Sequence, residues 1–109
     1  MEVIAQQNHL YELFEVIKKN LKGKGNDYAN ADRLSNFKLS GAIIGITPEQ
    51  QCLSLIATKV ARLGNLLQKQ HINPNNESIK DSAIDLICYG ILLDMIITEK
   101  QVSGQPELI

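Results

Sequence analysis

The stretch that most constrains this chain is Asn76 to Glu99, NESIKDSAIDLICYGILLDMIITE. Placed on a helix at 100° per residue, it sets Ser78, Asp81, Asp85, Tyr89, Leu92 and Ile96 on one stripe. The first half of that stripe is polar and the second half apolar. The other faces are also mostly apolar, with Ile79, Ala83, Leu86 and Leu93 on one side and Ile84, Cys88, Ile91 and Met95 on the other. A helix apolar nearly all round is expected to be buried. Carboxylates on a buried helix are costly unless they meet a cation, a metal or hydrogen-bond donors. Asp81 and Asp85 are therefore the first residues to weigh for function.

The fold class read from the sequence is all-α, a compact four-helix bundle-like domain over residues 1–101 with a poorly ordered tail over 102–109. The first helix is predicted over about Val3–Leu21, with Leu10, Leu13, Phe14, Ile17 and Leu21 at helical spacing. Lys18, Lys19 and Lys22 crowd its C-terminal end, where cations suit the helix dipole. His9 falls near its polar face and reads as a solvated surface histidine. The second helix is predicted from Ala31 to Ile44 with Asn30 as N-cap. Thr47-Pro48-Glu49-Gln50 is a helix start: Thr as N-cap, Pro in the first helical position, Gln closing a capping box. The third helix then runs to about Gln70. His71 to Asn75 reads as a turn, and Asn75 or Asn76 caps the fourth helix. No strand pattern and no internal repeat stands out.

Composition excludes some functions. With 11 Lys and Arg against 12 Asp and Glu, the formal charge is −1 and the basic residues form no run. Duplex nucleic acid is not the expected partner. Aromatics make up 5% with no Trp, a poor platform for stacking single strands. Cys52 and Cys88 sit on apolar faces of predicted helices and read as buried thiols rather than a disulfide or metal site. Asp81, Asp85 and Asp94 interrupt the last helix, which is not a membrane span. The N-terminus shows no basic leader, and the expected location is a reducing cytoplasm.

The third and fourth helices, joined by a short turn, should pack antiparallel. At 1.5 Å per residue, Lys59 and Arg62 come level with Asp81 and Asp85. Lys59 lies inside an apolar arc with Leu55, Leu63 and Leu66. It must either reach out to water or find an anion. The resulting cluster is either an ion-pair network that aligns two helices or the floor of a polar pocket. In the pocket reading, the Gly23–Asn30 loop (with Lys24, Asp27 and Tyr28), Arg33 and Asn36 form the roof. That loop has neither Walker spacing nor GxGxxG.

Three segments resemble a known family. KGNDYANADRLSNF (24–37), ATKVARLGNLL (57–67) and NESIKDSAIDLICYGILL (76–93) are similar to the nucleotide-modification-associated domain family of small phage and prophage proteins. The likeness runs from Lys22 to Thr98. It lies in a KxxDY-like loop, a helix with RL-x-NL, and a final helix carrying Glu77, Ser78, Asp81, Asp85, Leu86 and Tyr89 in register. It implies an all-helical, phage-encoded protein tied to nucleotides. The final helix also resembles all-helical nucleotide pyrophosphohydrolases, which hold Mg²⁺ between carboxylate pairs on facing helices. Here Thr58 stands where the related family has Asp, and Lys59 and Arg62 occupy the face that would bind metal. Two cations there repel Mg²⁺ and attract phosphate.

The preferred reading is a non-catalytic phage protein, resident in the host cytoplasm, that sequesters a cyclic or ADP-ribose-type signal and counters host defence. Lys59, Arg62 and Arg33 take phosphates, with Lys24 beside them on the loop. Tyr28 or Tyr89 stacks on a base or ribose, Asp81, Asp85 and Asn36 meet hydroxyls and base edges, and Asp27 belongs to the loop that wraps the ligand. The alternative is a Mg²⁺-dependent nucleotide pyrophosphohydrolase that uses Glu77, Asp81 and Asp85 as metal ligands, with Asp27 completing the set. A third reading is a structural module whose acids only form ion pairs. The apolar surface of the third and fourth helices exceeds what a four-helix monomer covers, so a homo-oligomer is expected.

Overall fold

The computed structural model describes residues 1–22, 32–69 and 77–102, together with the backbone course of four helices and, among the described residues, no strand. The side chains of Glu77 and Ser78 are not among those described. The helices are α1 (Val3–Lys22), α2 (Arg33–Ile44), α3 (Pro48–Gln68) and α4 (Glu77–Val102). The all-α expectation is met. The chain divides into two units, Met1–Ala31 and Asp32–Ile109.

The first unit contains α1. Lys19 and Lys22 occupy its last turn, as the dipole favours. Lys18 donates to Glu15 at 3.2 Å, and His9 lies 3.9 Å from Glu12 on a half-exposed surface. Of the predicted apolar stripe, Ile17 is buried, Leu13 and Leu21 are half-buried, and Leu10 and Phe14 are exposed.

The second unit is built from α2, α3 and α4. Its N-cap is Asp32 rather than the expected Asn30, which lies outside the described residues. The Asp32 carboxylate accepts from the Ser35 backbone N–H at 3.1 Å and from Ser35 Oγ at 2.6 Å. Two donors on one carboxylate explain the choice, since they satisfy an orphan amide of the first turn. Chiefly the Ser35 hydroxyl, then its amide, hold the Asp32 carboxyl below the usual aspartate value.

α2 ends in a Schellman turn. Gly45 sits at φ 78°, its N–H donates to Ala42 O at 3.2 Å, and the Ile46 N–H donates to Gly41 O at 2.9 Å. The chain folds back so tightly that a Cβ on Gly41 would lie 2.9 Å from Ile46 O and 3.2 Å from Thr47 O. Gly→Ala inside a helix ordinarily stabilises by about 1 kcal/mol. At position 41 the sign should reverse, because two backbone carbonyls must move. Gly41→Ala is expected to lose about 1–3 kcal/mol, the usual range for overpacking, read as a fall in thermal midpoint. A rise in the midpoint would show that the turn is looser than described.

The predicted start of α3 is present in full. The Thr47 N–H donates to Gln50 Oε1 at 2.9 Å, the Gln50 N–H donates to Thr47 Oγ1 at 3.1 Å, and Pro48 opens the helix. α3 ends at Gln68, two residues short of expectation, with Lys69 as C-cap. The expected caps of α4, Asn75 and Asn76, lie outside the described residues. α4 continues to Val102, one residue into the span read as tail, and residues 103–109 lie outside those described.

α3 and α4 pack antiparallel, as expected. Glu49 pairs with Lys100 at 3.3 Å, Cys52 Sγ donates to Tyr89 O at 3.5 Å, and Lys59 pairs with Asp85 at 3.1 Å. Partners ascend along α3 as they descend along α4. The core is the inward stripe of α4, Cys88, Leu92 and Ile96, with Cys52 of α3 and Phe37 of α2. Phe37 meets Tyr89 edge to face, with ring centroids 6.4 Å apart. Both cysteines are buried free thiols, as the sequence implied. Burial pushes the Cys52 thiol up, away from the reactive thiolate. Among the described residues, no helix is long and apolar enough to cross a membrane.

Candidate functional site

The candidate site lies where the C-terminal half of α3 faces the N-terminal half of α4. Lys59 has found its anion: Nζ lies 3.1 Å from Asp85 Oδ2. The lysine side chain keeps 26% of its exposure and the aspartate 44%.

These exposures correct one expectation. Asp81 and Asp85 are not buried carboxylates: Asp81 is exposed and Asp85 close to half so. Periodicity put them on the same stripe as Leu92 and Ile96, which are buried. The stripe is covered along only part of its length, however. Within this unit α2 meets α4 through Phe37 on Tyr89 and Lys38 on Glu99, level with Tyr89 and beyond. α2 has 12 residues, so it is too short to reach both ends of the 26-residue α4. Between the two acids Ser82 is only 4% exposed, so the inward line at this level runs through the serine, and Asp81 and Asp85 stay in reach of water at little cost.

One turn beyond Lys59, Arg62 is exposed and makes no ion pair among the described residues. One turn before Asp85, Asp81 is likewise exposed and unpaired among the described residues. Antiparallel packing brings Arg62 and Asp81 to the same level, yet they do not close on each other. The predicted four-residue cluster is thus one formed pair beside one open cation and one open carboxylate.

The other expected residues divide three ways. Arg33 opens α2, half-buried and engaged. Asn36 is exposed, and its carbonyl accepts from Ser40 Oγ at 2.8 Å. Tyr89 is half-buried against Phe37, so its ring is a packing element of the α2–α4 contact. Lys24, Asp27 and Tyr28 lie outside the described residues, as does the side chain of Glu77.

For the metal alternative, two of the four proposed ligands, Asp81 and Asp85, can be placed, while Asp27 and the side chain of Glu77 lie outside the described residues. An ammonium already stands 3.1 Å from Asp85, where Mg²⁺ would need the carboxylate to itself. Among the described residues, no three His, Cys, Asp or Glu side chains converge to hold a metal.

Among the described residues, two ion pairs between helices were not anticipated. Lys38 of α2 donates to Glu99 of α4, a contact that raises the lysine pKa, and Lys100 of α4 donates to Glu49 of α3. The second was open to the level-matching argument that found Lys59 and Asp85. The first depends on how α2 crosses α4, which no local pattern encodes.

No family model, curated protein or solved structure matches the chain.

Proposed function

We propose that this chain binds a nucleotide-derived anion, of cyclic or ADP-ribose type, and holds it intact as a phage-type protein countering host defence in the host cytoplasm. The observation that carries the reading is Arg62. It is an exposed guanidinium with no carboxylate on it among the described residues, one turn from a lysine whose direction is fixed by Asp85. A planar fork beside a point cation suits a phosphate group. Lys59 has three N–H donors, so it can keep Asp85 and still donate to phosphate. Asp81, unpaired among the described residues, can accept from a ribose hydroxyl. The resemblance of segments 24–37, 57–67 and 76–93 to the phage nucleotide-associated family points the same way.

Hydrolysis is the weaker reading because the described carboxylates are committed to, or flanked by, cations. Metal-assisted attack needs carboxylates that hold Mg²⁺ against phosphate. The residues present do the opposite and offer positive charge directly.

The test incubates purified protein with nucleoside triphosphates, cyclic dinucleotides and ADP-ribose derivatives, with and without Mg²⁺. The protein is then heat-denatured and the released molecule identified. One compound should be depleted from solution and recovered intact, irrespective of Mg²⁺. Depletion of none of them defeats the binding reading. Monophosphate and pyrophosphate appearing only with Mg²⁺ would establish the hydrolase instead.

A further inference from the structure

The N-terminal half of α4 holds a polar group that the fold does not use. Ser82, Asp85, Tyr89, Leu92 and Ile96 follow one another at three and four residues, the spacing of a single helical seam. Leu92 and Ile96 are buried and Tyr89 is half-buried. Asp85 is held by Lys59. Ser82 opens the seam and is more than nine-tenths buried, yet its hydroxyl makes no hydrogen bond to any described residue. Other helical hydroxyls close on their own helix. Ser40 Oγ donates to Asn36 O at 2.8 Å, Ser54 Oγ to Gln51 O at 2.8 Å, and Thr58 Oγ1 to Ser54 O at 3.0 Å.

Among the described residues, no fully enclosed side-chain nitrogen or oxygen lacks a partner. Ser82 Oγ has no such partner, so it is not fully enclosed and a narrow opening reaches it. Helical geometry puts Ile79 and Leu86 on one flank of Ser82 and Asp81 and Asp85 on the other. The acids are the wetter flank: Asp81 is exposed, and the Asp85 side chain keeps 44% of its exposure. Serine at this point is a poor choice for stability alone. Alanine fits the same space, suits a helix better and has no hydroxyl to desolvate.

We infer that the Ser82 hydroxyl is the uncharged donor of the candidate site, given to a phosphate oxygen that enters between α3 and α4 beside Lys59 and Arg62. The inference rests on the nucleotide-binding reading and adds a residue to it. Asp81 and Asp85 on the same flank repel phosphate, so a donor beside them has to offset that repulsion. A hydroxyl does so without placing another charge among the four already there. Its surroundings are nearly dry, and a hydrogen bond made in such a place is stronger than one made in open water.

The experiment titrates the full chain and Ser82→Ala with ADP-ribose and with cyclic di-AMP in a calorimeter, and melts both proteins without ligand. The unsubstituted chain should bind one of the two compounds. Ser82→Ala should bind it about tenfold more weakly, the loss of one hydrogen bond to a charged acceptor. The same variant should melt about 2–5 °C higher, because the buried hydroxyl is gone. A serine with a merely structural role would not move the two readouts in opposite directions. Ser54→Ala, whose hydroxyl is already closed on Gln51 O, should leave the affinity unchanged. Equal affinity in Ser82→Ala overturns the role of the hydroxyl and leaves the nucleotide reading standing. A lower midpoint in Ser82→Ala shows that the hydroxyl serves the fold and overturns it as well. If the unsubstituted chain takes neither compound, the nucleotide reading falls and this inference falls with it.

Discussion

Phe37→Ala is expected to lower the stability of the chain by about 3–5 kcal/mol, the range for deleting a buried aromatic ring. Phe37 is the one large side chain that α2 buries. α2 holds α3 through the tight turn at Gly41 and Gly45, but it reaches α4 through Phe37 on Tyr89 and Lys38 on Glu99. The lysine pair is half-exposed and worth little. The phenyl ring is therefore the main link, and its loss leaves a cavity over Tyr89. Against a total stability of about 5–15 kcal/mol, the loss is large enough to appear as a clear drop in the urea midpoint. Phe37→Leu retains most of the volume and should lose far less. A drop under about 1 kcal/mol for Phe37→Ala would mean that α2 is held to α4 by something other than this ring.

Local chemistry was the most legible part of the sequence. The α3 start could be read because each group in Thr47-Pro48-Glu49-Gln50 acts within one turn, and all its hydrogen bonds are present. The α2 start was misread by two residues for a reason of the same kind. Asn30 and Asp32 both suit an N-cap, but Ser35 stands three residues after Asp32 and supplies two donors to it. That signal was in the sequence. The antiparallel pairing of α3 and α4 was also legible, because a short connection leaves little freedom in how two helices align. Lys59 and Asp85 were found by counting along that alignment.

What the sequence did not carry is how far α2 extends over its neighbours. Periodicity put Asp81 and Asp85 on one stripe with Leu92 and Ile96, whereas at that level Ser82 is the residue that is buried. Periodicity carries no information on where along the stripe the cover ends. That depends on the length and crossing of α2, and it decides whether a carboxylate is buried or wet. The surroundings of Tyr89 were hidden in the same way. On the helix it reads as a free ring beside two acids, but α2 places Phe37 against it.

Lys59→Ala and Arg62→Ala should each weaken binding of the captured nucleotide by about ten- to a hundredfold, measured by calorimetric titration. Charge-assisted hydrogen bonds of this kind contribute about 1.5–3 kcal/mol each. Neither change should unfold the protein. Arg62 is exposed, and the Lys59–Asp85 pair is open enough to water that its loss is worth about 1 kcal/mol or less. Denaturant curves close to those of the unsubstituted chain would show that any lost affinity belongs to the site rather than to the fold. Asp85→Asn separates the two chemistries. If Lys59 serves phosphate, the neutral amide removes a competing anion and binding should persist. If the carboxylate serves a metal, the same change should abolish Mg²⁺-dependent turnover. Binding that ignores both cations would place the phosphate elsewhere, and the reading built on Arg62 would fail even though the nucleotide was still bound.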